Sequence, residues 1–269
     1  MWTVFKQALR LWKTNASDTA IVLKGGLAKG FGEIAVIRYL QENNIRPKAV
    51  IGASSGAQIA AMWAAGMTWQ EMVEATSKFQ MSLTTSYYEL LTERHLFGSQ
   101  KIRDFFLSYI HNTDVDMESM QKNVGFLSHN LTTKKLELLS KGSLVQCLIA
   151  SNAHPGIIAS QNLPNGQYID GDIYSGIYLI DDIKHRFKVK HVIGISRELE
   201  SSGYLTEIIL DLLRPDRSDA QCDEDRLDLL LKYNSSGIGY AEFSAIPGLV
   251  DSVYQQLLDN EKALQKYLC

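Results

Sequence analysis

The chain reads as an α/β protein with a mainly parallel central sheet flanked by helices, and two consecutive strand–helix units carry that reading. The first is the apolar run Ala20-Ile21-Val22-Leu23, which enters the glycine-rich turn Lys24-Gly25-Gly26-Leu27-Ala28-Lys29-Gly30. Beyond that turn Phe31, Ile34, Ile37 and Leu40 recur at helical spacing on one face. The second unit is the run Ala49-Val50-Ile51, the turn Gly52-Ala53-Ser54-Ser55-Gly56, and a stretch from Ala57 to Ala65 that is apolar nearly all round. Such an all-apolar helix is a buried one. A helix between two strands is the crossover that parallel pairing requires.

The rest of the chain keeps the alternation. Residues from about Met67 to Ile110 read as helical, with apolar positions at Met72, Val73, Ile102, Phe105 and Phe106. Strands are predicted at Val124–Ser128 and Lys135–Leu139, then a helix over Leu144–Ala150. A hairpin turn at Asn165-Gly166 leads into the short strand Gln167-Tyr168-Ile169, and His191–Ile195 reads as a further buried strand. The polar stretch from Pro215 to Arg226 reads as an exposed loop. In the closing segment Leu249, Val253, Leu257, Leu258, Ala263, Leu264 and Leu268 form an amphipathic pattern that favours packing on the domain. With no linker, repeat or low-complexity segment, the simplest organisation is one domain over residues 19–269, preceded by an N-terminal amphipathic helix over 1–18.

That first helix has Trp2, Val4, Phe5, Ala8, Leu9, Leu11 and Trp12 on one side, and Thr3, Lys6, Gln7, Arg10 and Lys13 on the other. An aromatic–aliphatic face opposite a basic one suits a helix lying in a membrane interface, and equally a helix packed on its own domain. Both readings stand for residues 2–13. At 269 residues with a formal charge of −3, the chain has no general attraction for nucleic acid. Its three cysteines, Cys147, Cys222 and Cys269, are widely spaced and form no CxxC. That argues against a disulfide framework or a zinc site and for a reducing compartment. No stretch has the apolar length to span a bilayer, and Lys6, Arg10 and Lys13 interrupt any signal-peptide core. The expectation is an intracellular, cytoplasmic protein, or one delivered by a route that needs no cleaved signal, with a peripheral membrane contact through residues 2–13 as one of the two readings of that segment.

The chemistry centres on Gly52–Gly56. Strand, sharp turn and buried helix form the context in which G-x-S-x-G is a nucleophile elbow, with Ser54 as the nucleophile. The hydroxyl then stands at a helix N-terminus, where developing negative charge is favoured. The Gly25-Gly26 turn offers backbone N–H groups to an anion, here the oxyanion of a tetrahedral intermediate. Its spacing fits neither G-x-G-x-x-G nor the Walker pattern. For a base, Asp170 lies at a strand end before Gly171, although an Asp-Gly pair by itself is an ordinary turn. His95, His111, His129, His185 and His191 read as solvated surface residues. His154, in Ser151-Asn152-Ala153-His154-Pro155-Gly156, lies in a loop able to border the site and is an accessory candidate.

These three motifs, in this order, resemble the patatin-like phospholipases over about residues 19 to 197. Gly25–Gly30 resembles the family's oxyanion loop, Gly52–Gly56 its elbow and Asp170-Gly171 its Asp-Gly pair. Ala150–Gly156 resembles the small-residue segment before that pair, and Leu96-Phe97-Gly98-Ser99 the mid-domain helix entry. The resemblance implies a three-layer sandwich and a serine acyl hydrolase of the phospholipase A or lysophospholipase type, with no metal or cofactor. Its substrate would be a phospholipid or lysophospholipid. Ser54 and Asp170 would form a Ser-Asp dyad, the Gly26 and Leu27 amides (Gly25–Leu27 as a loop) would hold the oxyanion, and Lys29 would support the loop. The chain departs from the family in four places. Leu27 replaces a third glycine, Lys29 the commoner arginine, and Asp172 a glycine, while Ser175–Tyr178 lacks the usual Asn-Asn and Pro. Asp172 puts a second carboxylate beside the proposed base. Two alternatives remain: an acyltransferase related to malonyl-CoA transacylases, for which His154 would be essential, and an inactive lipid-binding relative.

Overall fold

A computed structural model describes residues 15–77, 99–108, 110, 114–155, 157–173, 176–198, 222–240 and 242–268. The elements run β1 (Asn15–Ala16), β2 (Thr19–Leu23), the single turn α1 (Leu27–Gly30), α2 (Ile34–Glu42), β3 (Ile45–Arg46), β4 (Ala49–Gly52) and α3 (Ser55–Ala64). Then come α4 (Trp69–Ser77), α5 (Ser99–Ser108), β5 (Asn123–Asn130), β6 (Lys135–Leu139), α6 (Leu144–Ser151), β7 (Gln161–Leu163) and β8 (Gly166–Asp170). The chain closes with α7 (Ile180–Phe187), β9 (His191–Arg197), β10 (Leu229–Tyr233), α8 (Ile246–Asp259) and α9 (Glu261–Leu268).

Among the described residues the main sheet has the order β10-β9-β2-β4-β5-β8-β7, with β6 also paired to β5. The pairings from β10 to β5 are parallel, while β6, β7 and β8 add antiparallel strands at the far side. The α/β class with a mostly parallel sheet is therefore what the molecule adopts. Period-two alternation divides the strands between two cores. Ile21, Leu23 and Val50 join one cluster with residues of α2, α3, α6 and α8, whereas Ala20, Val22, Ala49 and Ile51 join another with Ile180, Ile183 and Phe187 of α7. Burial on both faces explains why these strands are apolar without interruption.

The register also decides where the strand ends meet. Phe126 of β5 is opposite Gly52 of β4 and Leu139 of β6, so β4 and β6 lie on opposite edges of β5. Ser128 is opposite Glu137 of β6 and Asp170 of β8, so β8 shares the β4 edge. The parallel strand β4 and the antiparallel strand β8 thus approach each other head to head along one edge. Their last residues are two β5 positions apart, roughly 7 Å at the usual rise.

The sequence reading differs from the molecule in several places. The hairpin turn falls at residues 164–165, with Leu163 opposite Gly166, one residue before the predicted Asn165-Gly166. Helix α7 and strand β10 were not anticipated. Asp223, in the stretch expected to be an exposed loop, is buried and accepts the N–H groups of Tyr178 and Ile180 at 2.6 and 3.0 Å. His129 is buried in β5 rather than solvated, and burial lowers its pKa. Asn15–Ala16, inside the stretch expected as the N-terminal helix, pair with Ile45–Arg46. Residues 1–14, His95, His111 and Leu96–Gly98 lie outside the described residues. The closing helices pack as expected: Leu249, Val253, Leu257, Leu264 and Leu268 are buried, while Leu258 is exposed. No helix among the described residues is long and apolar enough to cross a membrane.

Candidate active site

Strand β4 ends at Gly52 and α3 begins at Ser55, leaving Ala53 and Ser54 to reverse the chain. A Cβ on Gly52 would lie 2.2 Å from the Gly56 carbonyl oxygen, and one on Gly56 would lie 2.3 Å from that of Leu23. Both glycines are therefore demanded by close backbone approach, which forces the reversal into one residue. Ser54 absorbs it with φ 54° and ψ −127°. That conformation is costly for a residue with a Cβ, about 1–3 kcal/mol. A serine at a helix N-cap ordinarily accepts an N–H of the first turn. Ser54 makes no such bond, so its hydroxyl is turned away from the helix it precedes. The neighbouring Ser55 hydroxyl is buried inside, close to Gly30, and has no hydrogen-bond partner among the described residues. Of the two serines, Ser54 is thus the one whose side chain can meet a ligand.

Asp170 closes β8 and is 1% exposed. Its Oδ1 accepts the Asp172 N–H at 2.8 Å, and the Ser54 side chain is near enough to favour the ionised carboxylate. Burial pushes the Asp170 carboxyl above its ordinary range, while His154, the Asp172 N–H, the Ser54 side chain and Lys24 act against that rise. The segment after α6 braces both sides. The Ser151 carbonyl accepts the Ser54 N–H at 3.1 Å, and the Ala153 carbonyl accepts the Asp170 N–H at 3.1 Å. Ser151 itself donates to the Leu127 carbonyl of β5 at 2.6 Å, and Gln58 of α3 donates to Asn152 at 2.7 Å. His154 interacts electrostatically with Asp170, and its Nδ1 lies 3.1 Å from the Pro155 carbonyl.

The glycine loop forms the third side. Gly25 and Gly26 have φ of 101° and 128°, and Leu27 follows at φ 52° with an exposed side chain. The departure from glycine at position 27 therefore falls on a left-handed residue. The N–H of Gly25, like that of Lys24, donates to Glu33 Oε1 at 3.2 Å, so it faces inward. Among the described residues the N–H groups of Gly26 and Leu27 have no such acceptor, which leaves them as the loop's available donors. Glu33 was not singled out from the sequence. It is completely buried, and burial drives its carboxyl well above the usual range despite the Gly25 N–H. Lys29 is buried over the Tyr240 ring at 4.8 Å, and its carbonyl accepts the Tyr233 hydroxyl at 3.0 Å.

Asp172 stands beside Asp170 and 3.6 Å from the ammonium of Lys24, which in turn donates to the Ile177 carbonyl at 3.1 Å. Burial lifts the Asp172 carboxyl to about 7, with Lys24 opposing and Asp170 reinforcing the rise. No group of three or more metal-ligating side chains occurs among the described residues. Ser54, Asp170, the Gly25–Lys29 loop, His154 and Asp172 are all gathered at the C-terminal end of the parallel strands, where ligands of open α/β sheets bind.

The chain is 25% identical over 208 residues to the neuropathy target esterase sws of Drosophila melanogaster, covering 76% of this chain and 14% of that protein. It is 33% identical over 113 residues to the lysophospholipase NTE1 of Chaetomium globosum, covering 36% of this chain and 7% of that protein. The chain thus spans only a small part of these relatives' length. Among solved structures, VipD of Legionella pneumophila is similar at 16% identity and a TM-score of 0.49, covering 90% of this chain and 67% of that one. The patatin-like phospholipase profile matches residues 21–179, more than half of the chain and every element from β2 to the Asp170 turn. The chain belongs to the patatin-like phospholipase family.

Proposed function

We propose that the protein is a serine acyl hydrolase that cleaves the acyl esters of phospholipids or lysophospholipids through Ser54 and Asp170. The observation that carries this is the Ser54 backbone, held at φ 54° and ψ −127° with its hydroxyl making no cap bond, beside the buried Asp170 carboxyl whose ionised form it favours. Strain of this kind persists only where the surrounding structure imposes it, and it clusters at active sites.

In the proposed reaction the Ser54 oxygen attacks the acyl carbonyl carbon as its proton passes to the Asp170 carboxylate. The Gly26 and Leu27 N–H groups receive the oxyanion, where one lost donor costs about a hundredfold or more in rate. Collapse breaks the ester bond, and the Asp170 proton leaves with the alcohol. Water then gives a proton to Asp170 and attacks the acyl-enzyme, and the second collapse breaks the acyl–Ser54 bond and releases the fatty acid as Asp170 returns that proton to the Ser54 oxygen. A raised Asp170 pKa strengthens this carboxylate as a base, as the chemistry requires. We further propose that residues 2–13 bring the site to a membrane surface.

Intact-mass analysis after treatment with a fluorophosphonate tests the core of the reading. Wild type is expected to gain one adduct, Ser54→Ala none, and Asp170→Asn to label far more slowly. A folded wild type without an adduct would favour the inactive relative. His154→Ala is expected to keep hydrolysis; severe loss in a folded variant would favour the acyltransferase.

A further inference from the structure

We propose that Arg197 forms an anion subsite beside the glycine loop that recognises the phosphate group of the ester substrate. The inference rests on the hydrolase reading above and concerns residues outside the segment matched to the family. Arg197 is the last residue of β9, the strand paired to β2, so it emerges at the sheet end where the glycine loop begins. A Cβ on Gly26 would lie 2.5 Å from Arg197 Nε and 3.0 Å from its Cδ. The arginine therefore lies against the backbone of a proposed oxyanion donor, in space that a side chain at position 26 would take.

The guanidinium is held as a recognition group rather than consumed as a structural one. Its carbon sits 5.2 Å from the Tyr240 ring centre, and the Lys29 ammonium is 4.8 Å from that ring centre. Tyr240 is tied to the loop in turn, because its carbonyl accepts the Ala28 N–H at 3.0 Å. Among the described residues Arg197 has no carboxylate or hydrogen-bond partner. Its charge nonetheless reaches the site, where it favours ionised Asp172. The residue as a whole is half-buried, neither sealed in the core nor fully in solvent. A planar fork pre-oriented over an aromatic ring is suited to bidentate binding of phosphate oxygens. An ester whose carbonyl oxygen occupies the glycine loop brings its neighbouring substituent toward this strand end. Lysophospholipids carry a phosphate there, and monoacylglycerols do not.

The test compares kcat/KM for lysophosphatidylcholine and for a monoacylglycerol of the same acyl chain in wild type, Arg197→Gln and Arg197→Lys. Losing charge-assisted hydrogen bonds to phosphate is expected to lower turnover of the lysophospholipid about 10- to 100-fold more than that of the neutral lipid. Arg197→Lys is expected to recover part of the difference, because it keeps the charge and loses the fork. The ratio of two substrates within one variant does not depend on how much of the protein is folded. Inorganic phosphate, the other source of the same chemistry, is expected to compete with the lysophospholipid in wild type and less in Arg197→Gln. Equal losses on both lipids would make Arg197 a brace for the loop and overturn the subsite, as would no loss on either. A folded wild type that cleaves neither lipid and takes no fluorophosphonate would overturn the hydrolase reading instead.

Discussion

At Ser54 backbone comfort and side-chain placement oppose each other. The left-handed φ is the cost of aiming the hydroxyl away from α3, and glycine would meet that geometry without a Cβ. Ser54→Gly is therefore expected to raise stability by about 1 kcal/mol in urea unfolding. Ser54→Ala, which keeps the Cβ, should leave stability near that of wild type. Both should abolish labelling, and an unchanged Ser54→Gly would show that the strain is absent in solution. Ser54 was legible in the sequence because its signal is local: a short apolar strand, two glycines and an apolar helix lie in one run. Glu33 was not. It occupies a polar position in a helical pattern, and only the inward N–H groups of Lys24 and Gly25 explain a carboxyl buried there. Arg197, Gly26 and Tyr240 are far apart in the chain, so no spacing rule could have joined them.

Among the elements, β8 decides whether the site exists. It lies along β5 beyond the end of β4, and the turn that follows it runs so close that a Cβ on Gly171 would be 2.1 Å from the Leu127 carbonyl oxygen. Gly171→Ala must push Asp170 and its turn away from β5. The expected result is a loss of about 1–3 kcal/mol in stability, as for other overpacked sites. Labelling by fluorophosphonate should also fall about a hundredfold, since a displacement of an ångström at a reacting group has that effect. Wild-type labelling in this variant would mean that the position of Asp170 is not critical. The strand itself was readable from its turn and its apolar residues. Its placement on the β4 edge was not, because that depends on which β5 residues are opposite β6. Strand β10 and helix α7 escaped notice for a related reason. Leu229–Tyr233 follows a charged stretch and is defined by pairing with β9, and α7 is a short helix between the left-handed residues Leu179 and Lys188.

For the molecule as a whole, the carboxyls around the site set how stability varies with pH. Burial raises Asp170, Asp172 and Glu33 above their ordinary values. Between its ordinary pKa and its folded pKa each group holds more proton in the folded state than in the unfolded chain, so stability falls as pH rises across that interval and levels above it, where the carboxyl is ionised. For Asp172 the window runs from about 4 to about 7. Urea melts between pH 5 and pH 8 are expected to show stability falling toward neutrality and then levelling. Asp172→Asn should flatten the fall, by an amount on the order of 1 kcal/mol; a parallel curve in that variant would remove Asp172 as the cause. Charge balance and the α/β class were legible at this scale from composition and alternation. The pH response was not, because it arises from burial. The N-terminal segment is tested here as well. Removing residues 1–14 should depress activity on phospholipid vesicles while sparing a soluble ester, and equal loss on both would sink the membrane role.

The head-to-head meeting of β4 and β8 has a consequence for how activity arises during synthesis. Ser54 is translated early, within the first parallel strands, with β2, β4 and α3 forming its elbow before the Ser151 carbonyl arrives to brace it. Asp170 reaches that edge only after β5 and the whole run through α6 and β7 have been made and docked. A chain that ends before β8 therefore carries the proposed nucleophile without its proposed base, whatever the state of its folded half. The proposed lipid-cleaving activity therefore cannot arise before β8 has joined the sheet.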